Sequence, residues 1–199
     1  MSDKQSQNIP STAEMLEMAK LQIVAEAFLE GKLKDNGNRV PTPREKPYTR
    51  GDKELSRINK SLLTYGNNHT SKLTEVQAKQ FMEDWEDISY MPITDIGFSG
   101  TLFRAKQPIE DDKGNVIVEK DQLVMSFRST EFIDDSARDN QATNTLEIAE
   151  KGWAFGQIDD MERWYQSLRE SKIIGDGEQI SLTGYSLGGH LATAFNILL

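Results

Sequence analysis

Apolar residues recur at helical spacing through the first part of the chain and at strand spacing through the middle. Ser11 and Glu14 form a capping-box pair ahead of Leu16, Ile23 and Ala27, with Met15, Val24 and Phe28 beside that stripe, and Gly31 closes it. The spacing predicts a helix over 12–30. Pro41, Pro43 and Pro47 with scattered charge predict a surface loop over 31–51. Leu55, Ile58 and Leu62 share one helical face, which Gly66 ends, and Thr74 with Gln77 opens a third helix expected to carry Phe81, Trp85 and Ile88.

The period then changes. GFSGTLFRAK (97–106) and VIVEKDQLVMSF (116–127) read as strands, with DDKGN (111–115) as a turn between them. Met161, Trp164, Tyr165 and Leu168 follow i, i+3, i+4, i+7 spacing and predict an amphipathic helix over 159–170. A short apolar strand, QISLT (179–183), leads to an apolar helix over 189–199, whose ATAFNILL segment is apolar around its circumference and is expected to be buried. Three or four strands are readable in all. The second half is βαβα in character, which favours a parallel-leaning sheet under helices. The expected organisation is a disordered leader (1–10), a helical N-terminal region (11–92) and a sheet-containing core (93–199).

Composition narrows the chemistry. The chain has 199 residues, enough for one domain with a buried core. It has no cysteine, which excludes disulfides, thiolate metal sites and cysteine nucleophiles, and only two histidines, His69 and His190, which excludes a histidine-rich metal site. A net charge of -9 repels nucleic acid and anionic surfaces. No apolar run approaches the ~20 residues of a membrane helix, and MSDKQSQNIP lacks the basic and apolar regions of a Sec signal.

One segment carries recognisable chemistry. QISLT runs into Gly184-Tyr185-Ser186-Leu187-Gly188 and straight on into a helix. A bare G-x-S-x-G arises by chance in roughly one chain of this length in twenty, given ordinary glycine and serine usage. The strand before it and the helix after it give it meaning. A serine on a sharp strand-to-helix turn presents its hydroxyl at the sheet edge, between two positions where only glycine fits. The helix behind it aims backbone N–H groups at a developing oxyanion. The bland alternative is a glycine-rich turn with a solvated serine.

GYSLGGHLA resembles the nucleophile elbow of the class 3, fungal-lipase-like branch of the α/β-hydrolases. LVMSFRST (123–130) resembles the strand that ends in Phe-Arg-Gly-Thr/Ser, EKGWAFGQIDDMERWYQSL (150–168) the helix before the elbow, and GFSGTLFRAK a strand of secreted bacterial lipases. The resemblance spans roughly 95–199 and leaves out the N-terminal helices. It implies part of an α/β-hydrolase fold, with the sheet present through the elbow. The activity implied is that of a serine esterase or lipase, cleaving glycerolipid or phospholipid esters through an acyl-enzyme on Ser186, and the partner is a lipid or small ester, met at a membrane or micelle interface. The oxyanion hole falls on the N–H of Leu187 and on Thr130. Ser129 departs from the pattern by replacing the glycine, and a positive φ there would strain it. The alternative reading of Thr130 is a hydroxyl capping a turn. Residues 131–149 stand where a lid over the site, or a plain connection with one short helix, is expected. Export without a Sec signal is the implied location, with a cytoplasmic protein as the alternative.

The hydrolase order is Ser, then Asp/Glu, then His. Thirteen residues follow Ser186; none is acidic, and His190 lies one helical turn on, as a packing residue. His69 would require a permuted order. The triad acid and base are therefore expected outside this chain, in a continuation that would also complete the sheet. No cofactor is expected for catalysis, with calcium conceivable only in that continuation. The alternative from a different class is a catalytically inactive α/β-hydrolase-like binding module, favoured by the missing acid and base and by the altered Phe-Arg-Ser-Thr; a serine hydrolase of thioesters or small esters would share the mechanism and differ only in its pocket.

Overall fold

In a computed structural model, the structure describes residues 10–26, 32–33, 39–40, 48–49, 58–66, 72–129 and 152–199. His69, Thr130 and 131–149 lie outside these residues. Five helices are described: α1 (Thr12–Glu26), α2 (Lys60–Tyr65), α3 (Glu75–Asp84), α4 (Phe155–Glu170) and α5 (Leu187–Leu198). The described strands are β1 (Lys32–Leu33), β2 (Arg39–Val40), β3 (Tyr48–Thr49), β4 (Trp85–Met91), β5 (Gly100–Ala105), β6 (Ile109–Glu110), β7 (Val116–Val118), β8 (Leu123–Phe127) and β9 (Ile180–Gly184).

The start signals act as the sequence indicates. Ser11 and Glu14 bond each other's backbone N–H groups at the head of α1. The Thr74–Gln77 pair forms a full capping box on α3, and Gly66 ends α2 with φ 71°.

The region 11–92 is not wholly helical. Trp85 and Ile88 belong to β4, because α3 stops at Asp84 and Trp85 takes extended angles (φ -126°, ψ 152°). A bulge between Asp87 and Ser89 reverses the facing of later residues, so Trp85 and Tyr90 enter one core while Ile88 enters the other. That broken alternation mimics helical spacing. The run 116–127 is likewise two strands, parted at a polar turn where Asp121 sits at φ 65°. The short β7 pairs with β6 around the expected turn at 111–115.

The principal sheet has the order β3-β4-β5-β8-β9. Among the described strands only the β8–β9 pair of this sheet is parallel; the other three neighbour pairs are antiparallel. The parallel-leaning expectation thus holds for one pair. The connection from β8 to β9 carries α4, the crossover that parallel neighbours need, whereas β4 runs into β5 through a short loop and β5 reaches β8 through the β6–β7 hairpin.

Two apolar cores lie on opposite faces. On one, Leu21, Val24 and Ala25 of α1 and Phe81 of α3 pack with Trp85, Phe103 and Val124. On the other, Met161, Trp164 and Leu168 of α4 and Leu191, Ala194 and Phe195 of α5 pack with Leu102, Met125 and Phe127. Each fully buried side chain of this size contributes ~1.5–3 kcal/mol. Alternation along β5 and β8 feeds both cores at once. Trp164 seats against Gly100, where a Cβ would stand 2.6 Å from the indole, and its N–H donates to Ser89 Oγ at 3.3 Å. The last helix is not buried all round: Leu191 and Ala194 are inaccessible, while Ile197, Leu198 and Leu199 are exposed.

Candidate active site

Parallel pairing brings the ends of β8 and β9 side by side, with Phe127 opposite Gly184 in register. Beyond that pair the β9 side turns sharply through Tyr185 and Ser186 into α5. Ser186 has φ 51° and ψ -119°, a region L-residues avoid at a cost of ~1–3 kcal/mol. The surroundings impose it. A Cβ on Gly184 would sit 2.2 Å from the Gly188 carbonyl oxygen, and one on Gly188 would sit 2.2 Å from the Phe127 carbonyl oxygen. Neither clash can relax by turning a side chain, since each partner is backbone. Both elbow glycines are therefore required by close approach of the turn to itself and of α5 to β8.

Ser186 occupies the N-cap position of α5 yet makes no capping bond with its side chain. A serine placed there as a cap would have extended angles and accept a helix N–H. Instead its side chain is exposed beside the exposed Tyr185, and its hydroxyl makes no hydrogen bond to another described residue. Leu187, the first residue of α5, has a buried side chain, and its N–H meets no backbone acceptor among the described residues. That N–H lies in the first turn of the helix, where the dipole favours negative charge.

The β8 side is built differently. Arg128 N–H donates to the Ser99 carbonyl at 3.1 Å, and Ser129 N–H donates to the Glu26 carboxylate at 2.6 Å. Ser129 is not among the described residues with positive φ. Serine is thus accommodated where the resembling family has glycine, without the strain considered above. Thr130, the second expected oxyanion donor, lies outside the described residues, as does the lid segment.

His190 is turned to another task. Its Nε2 accepts the Ala154 N–H at 3.3 Å and its ring packs on Trp153 at 5.6 Å between centroids. Accepting at Nε2 requires the neutral ring with its proton on Nδ1. Burial lowers its pKa from the ordinary value near 6.5. Its ring ties the lead-in to α4 onto the first turn of α5; its backbone N–H donates to the Ser186 carbonyl at 3.2 Å, but no hydrogen bond joins the imidazole to the Ser186 hydroxyl. Among the described residues no acid–base pair reaches the serine, and no group of three metal-ligating side chains occurs. No described helix is long and apolar enough to cross a membrane. The groove lined by Ser11, Glu17, Lys20, Glu110 and Asp111 lies between α1 and the β6–β7 hairpin and includes no elbow residue.

Compared with known proteins, the chain matches no family model, no curated protein and no solved structure. Glu26 is the site residue that sequence reasoning missed. No neighbouring residue signals it, since its partner Ser129 lies 103 residues away.

Proposed function

We propose that this protein is a serine hydrolase of the α/β-hydrolase type, cleaving carboxylic esters of glycerolipids or phospholipids through an acyl-enzyme on Ser186. The observation that carries this reading is the strained, uncapped Ser186 on a strand-to-helix turn clamped by two obligatory glycines. Strain of this kind persists where the surroundings over-determine it, and such places cluster at functional sites. The resemblance of residues 95–199 to the class 3 lipases supplies the substrate class.

In the proposed reaction the Ser186 oxygen attacks the ester carbonyl and its proton passes to a base. The carbonyl oxygen becomes an oxyanion held by the Leu187 N–H, with Thr130 as the proposed second donor. Collapse expels the alcohol, which takes the proton back from the base. Water then attacks the acyl-serine by the same route and releases the carboxylic acid. The described residues contain no such base, so the reading requires one beyond them. That same fact favours the second reading, an inactive module that keeps the elbow as a binding feature.

The experiment separating the two is hydrolysis of p-nitrophenyl esters of graded acyl length by the natural full-length protein, beside its Ser186→Ala variant. Turnover abolished by the substitution and rising with acyl length is expected. Turnover indifferent to the substitution, or absent throughout, contradicts the proposal.

A further inference from the structure

We infer that Glu26 is a positioning residue for the proposed reaction, fixing the end of β8 beside the nucleophile from the opposite end of the sequence. The inference rests on the nucleophile reading of Ser186. Glu26 is the last residue of α1 and only 7% exposed, and its Oε1 accepts the Ser129 N–H at 2.6 Å across 103 residues.

A buried polar group is costly unless hydrogen-bonded. The bond to Ser129 meets that requirement, and it lands on the backbone that continues β8 next to the elbow. The rest of α1 is laid along the same two strands. Leu21, Val24 and Ala25 are fully buried, and Thr183 Oγ1 of β9 donates to the Met18 carbonyl at 3.4 Å.

Ser129 is therefore held by Glu26 on one side while its neighbour Arg128 is held by the Ser99 carbonyl. The elbow after β9 is fixed by its own glycines and by the Phe127 carbonyl that Gly188 meets. The stretch after β8 is fixed by a carboxylate from α1. Glu26 acts through Ser129 and touches no reacting atom.

Reach and charge can be separated by two substitutions in the natural full-length protein. Glu26→Gln keeps the chain length and a carbonyl acceptor but removes the charge; Glu26→Asp keeps the charge and falls one methylene short. Steady-state kinetics on a p-nitrophenyl ester, the rate of covalent labelling of Ser186 by a fluorophosphonate, and thermal melting are measured for each.

The expected result is kcat within about threefold of wild type for Gln and a loss of about 30-fold for Asp, with KM within about twofold, as for a misplaced oxyanion-site backbone. Labelling rates should follow kcat. Wild-type kinetics in a folded Asp variant would overturn the inference, leaving Glu26 as packing alone. A Gln variant that melts cooperatively but loses activity as severely would also overturn it, and this arm decides even if Asp does not fold. A wild-type protein that neither turns over ester nor labels at Ser186 would instead remove the nucleophile reading, and this inference with it.

Discussion

The stretches that continue β8 and β9 stand side by side and are held in different ways. The β9 turn is held mostly by its own residues: Gly184 closes on Gly188, Gly188 closes on the Phe127 carbonyl of β8, and Ser186 takes up the strain at φ 51°. Beyond β8, Arg128 and Ser129 draw their support from afar: the Ser99 carbonyl just before β5 and the Glu26 carboxylate of α1. A short-range device shows itself in a sequence as a motif. A long-range one appears only when the chain is folded, because nothing near Ser129 marks its partner.

Substituting the chemistry of the β9 turn should have the largest effect. In the natural protein Ser186→Ala is expected to lower ester hydrolysis by roughly 10⁴–10⁶-fold while leaving the melting transition intact. Retention of more than a tenth of the activity would break the assignment.

Next comes the geometry of that turn. Gly188→Ala places a methyl 2.2 Å from the Phe127 carbonyl oxygen and is expected to cost more than about 3 kcal/mol in denaturant unfolding. At Gly189 the added methyl would stand 3.2 Å from the Gly184 carbonyl oxygen, so Gly189→Ala should cost far less. Equal effects at the two positions would mean that α5 does not approach β8 as closely as described.

On the β8 side, Thr130→Val tests the proposed second oxyanion donor. Losing one donor should lower kcat by about 10²-fold, or about 3 kcal/mol. An unchanged kcat would contradict that role for Thr130 and leave Leu187 as the one proposed donor.

Strain in the elbow gives a smaller effect of opposite sign. Ser186→Gly removes the Cβ from the left-handed conformation and should raise stability by about 1 kcal/mol while abolishing activity. A destabilised glycine variant would show that φ 51° is not a strained state here.

The last expectation concerns how the two strands' helices are tied together. Burial lowers the pKa of His190, so the folded protein binds its proton less readily than the unfolded chain. The associated stability is present above the ordinary value near 6.5 and is lost as pH falls through the folded value. Protonation would also turn Nε2 into a donor facing the Ala154 N–H. Melting temperature should therefore fall below about pH 6.5 in the wild type, and His190→Gln, which keeps an acceptor without titrating, should flatten that dependence. Parallel pH profiles in the two proteins would contradict it.

How much could be read in advance follows the same division. The elbow, the caps at Ser11 and Thr74, the turn at 111–115 and the face of α4 are set by residues within a few positions of one another, and they were legible. What escaped needed partners far along the chain or a broken pattern. The bulge in β4 gave Phe81, Trp85 and Ile88 a helical spacing that the strand does not have. The antiparallel pairings of β5 join strands whose register depends on residues far apart in the chain. ATAFNILL looked apolar on every side, yet only the Leu191, Ala194 and Phe195 face meets the sheet. Glu26 carries no mark in the sequence, because its partner Ser129 lies 103 residues away.

The most direct test of the central claim is to treat the natural full-length protein with a fluorophosphonate probe and map the adduct by peptide mass spectrometry. The account predicts a single covalent adduct on Ser186, absent in Ser186→Ala and slowed in Glu26→Asp. No adduct, or an adduct on another residue that survives Ser186→Ala, would contradict it.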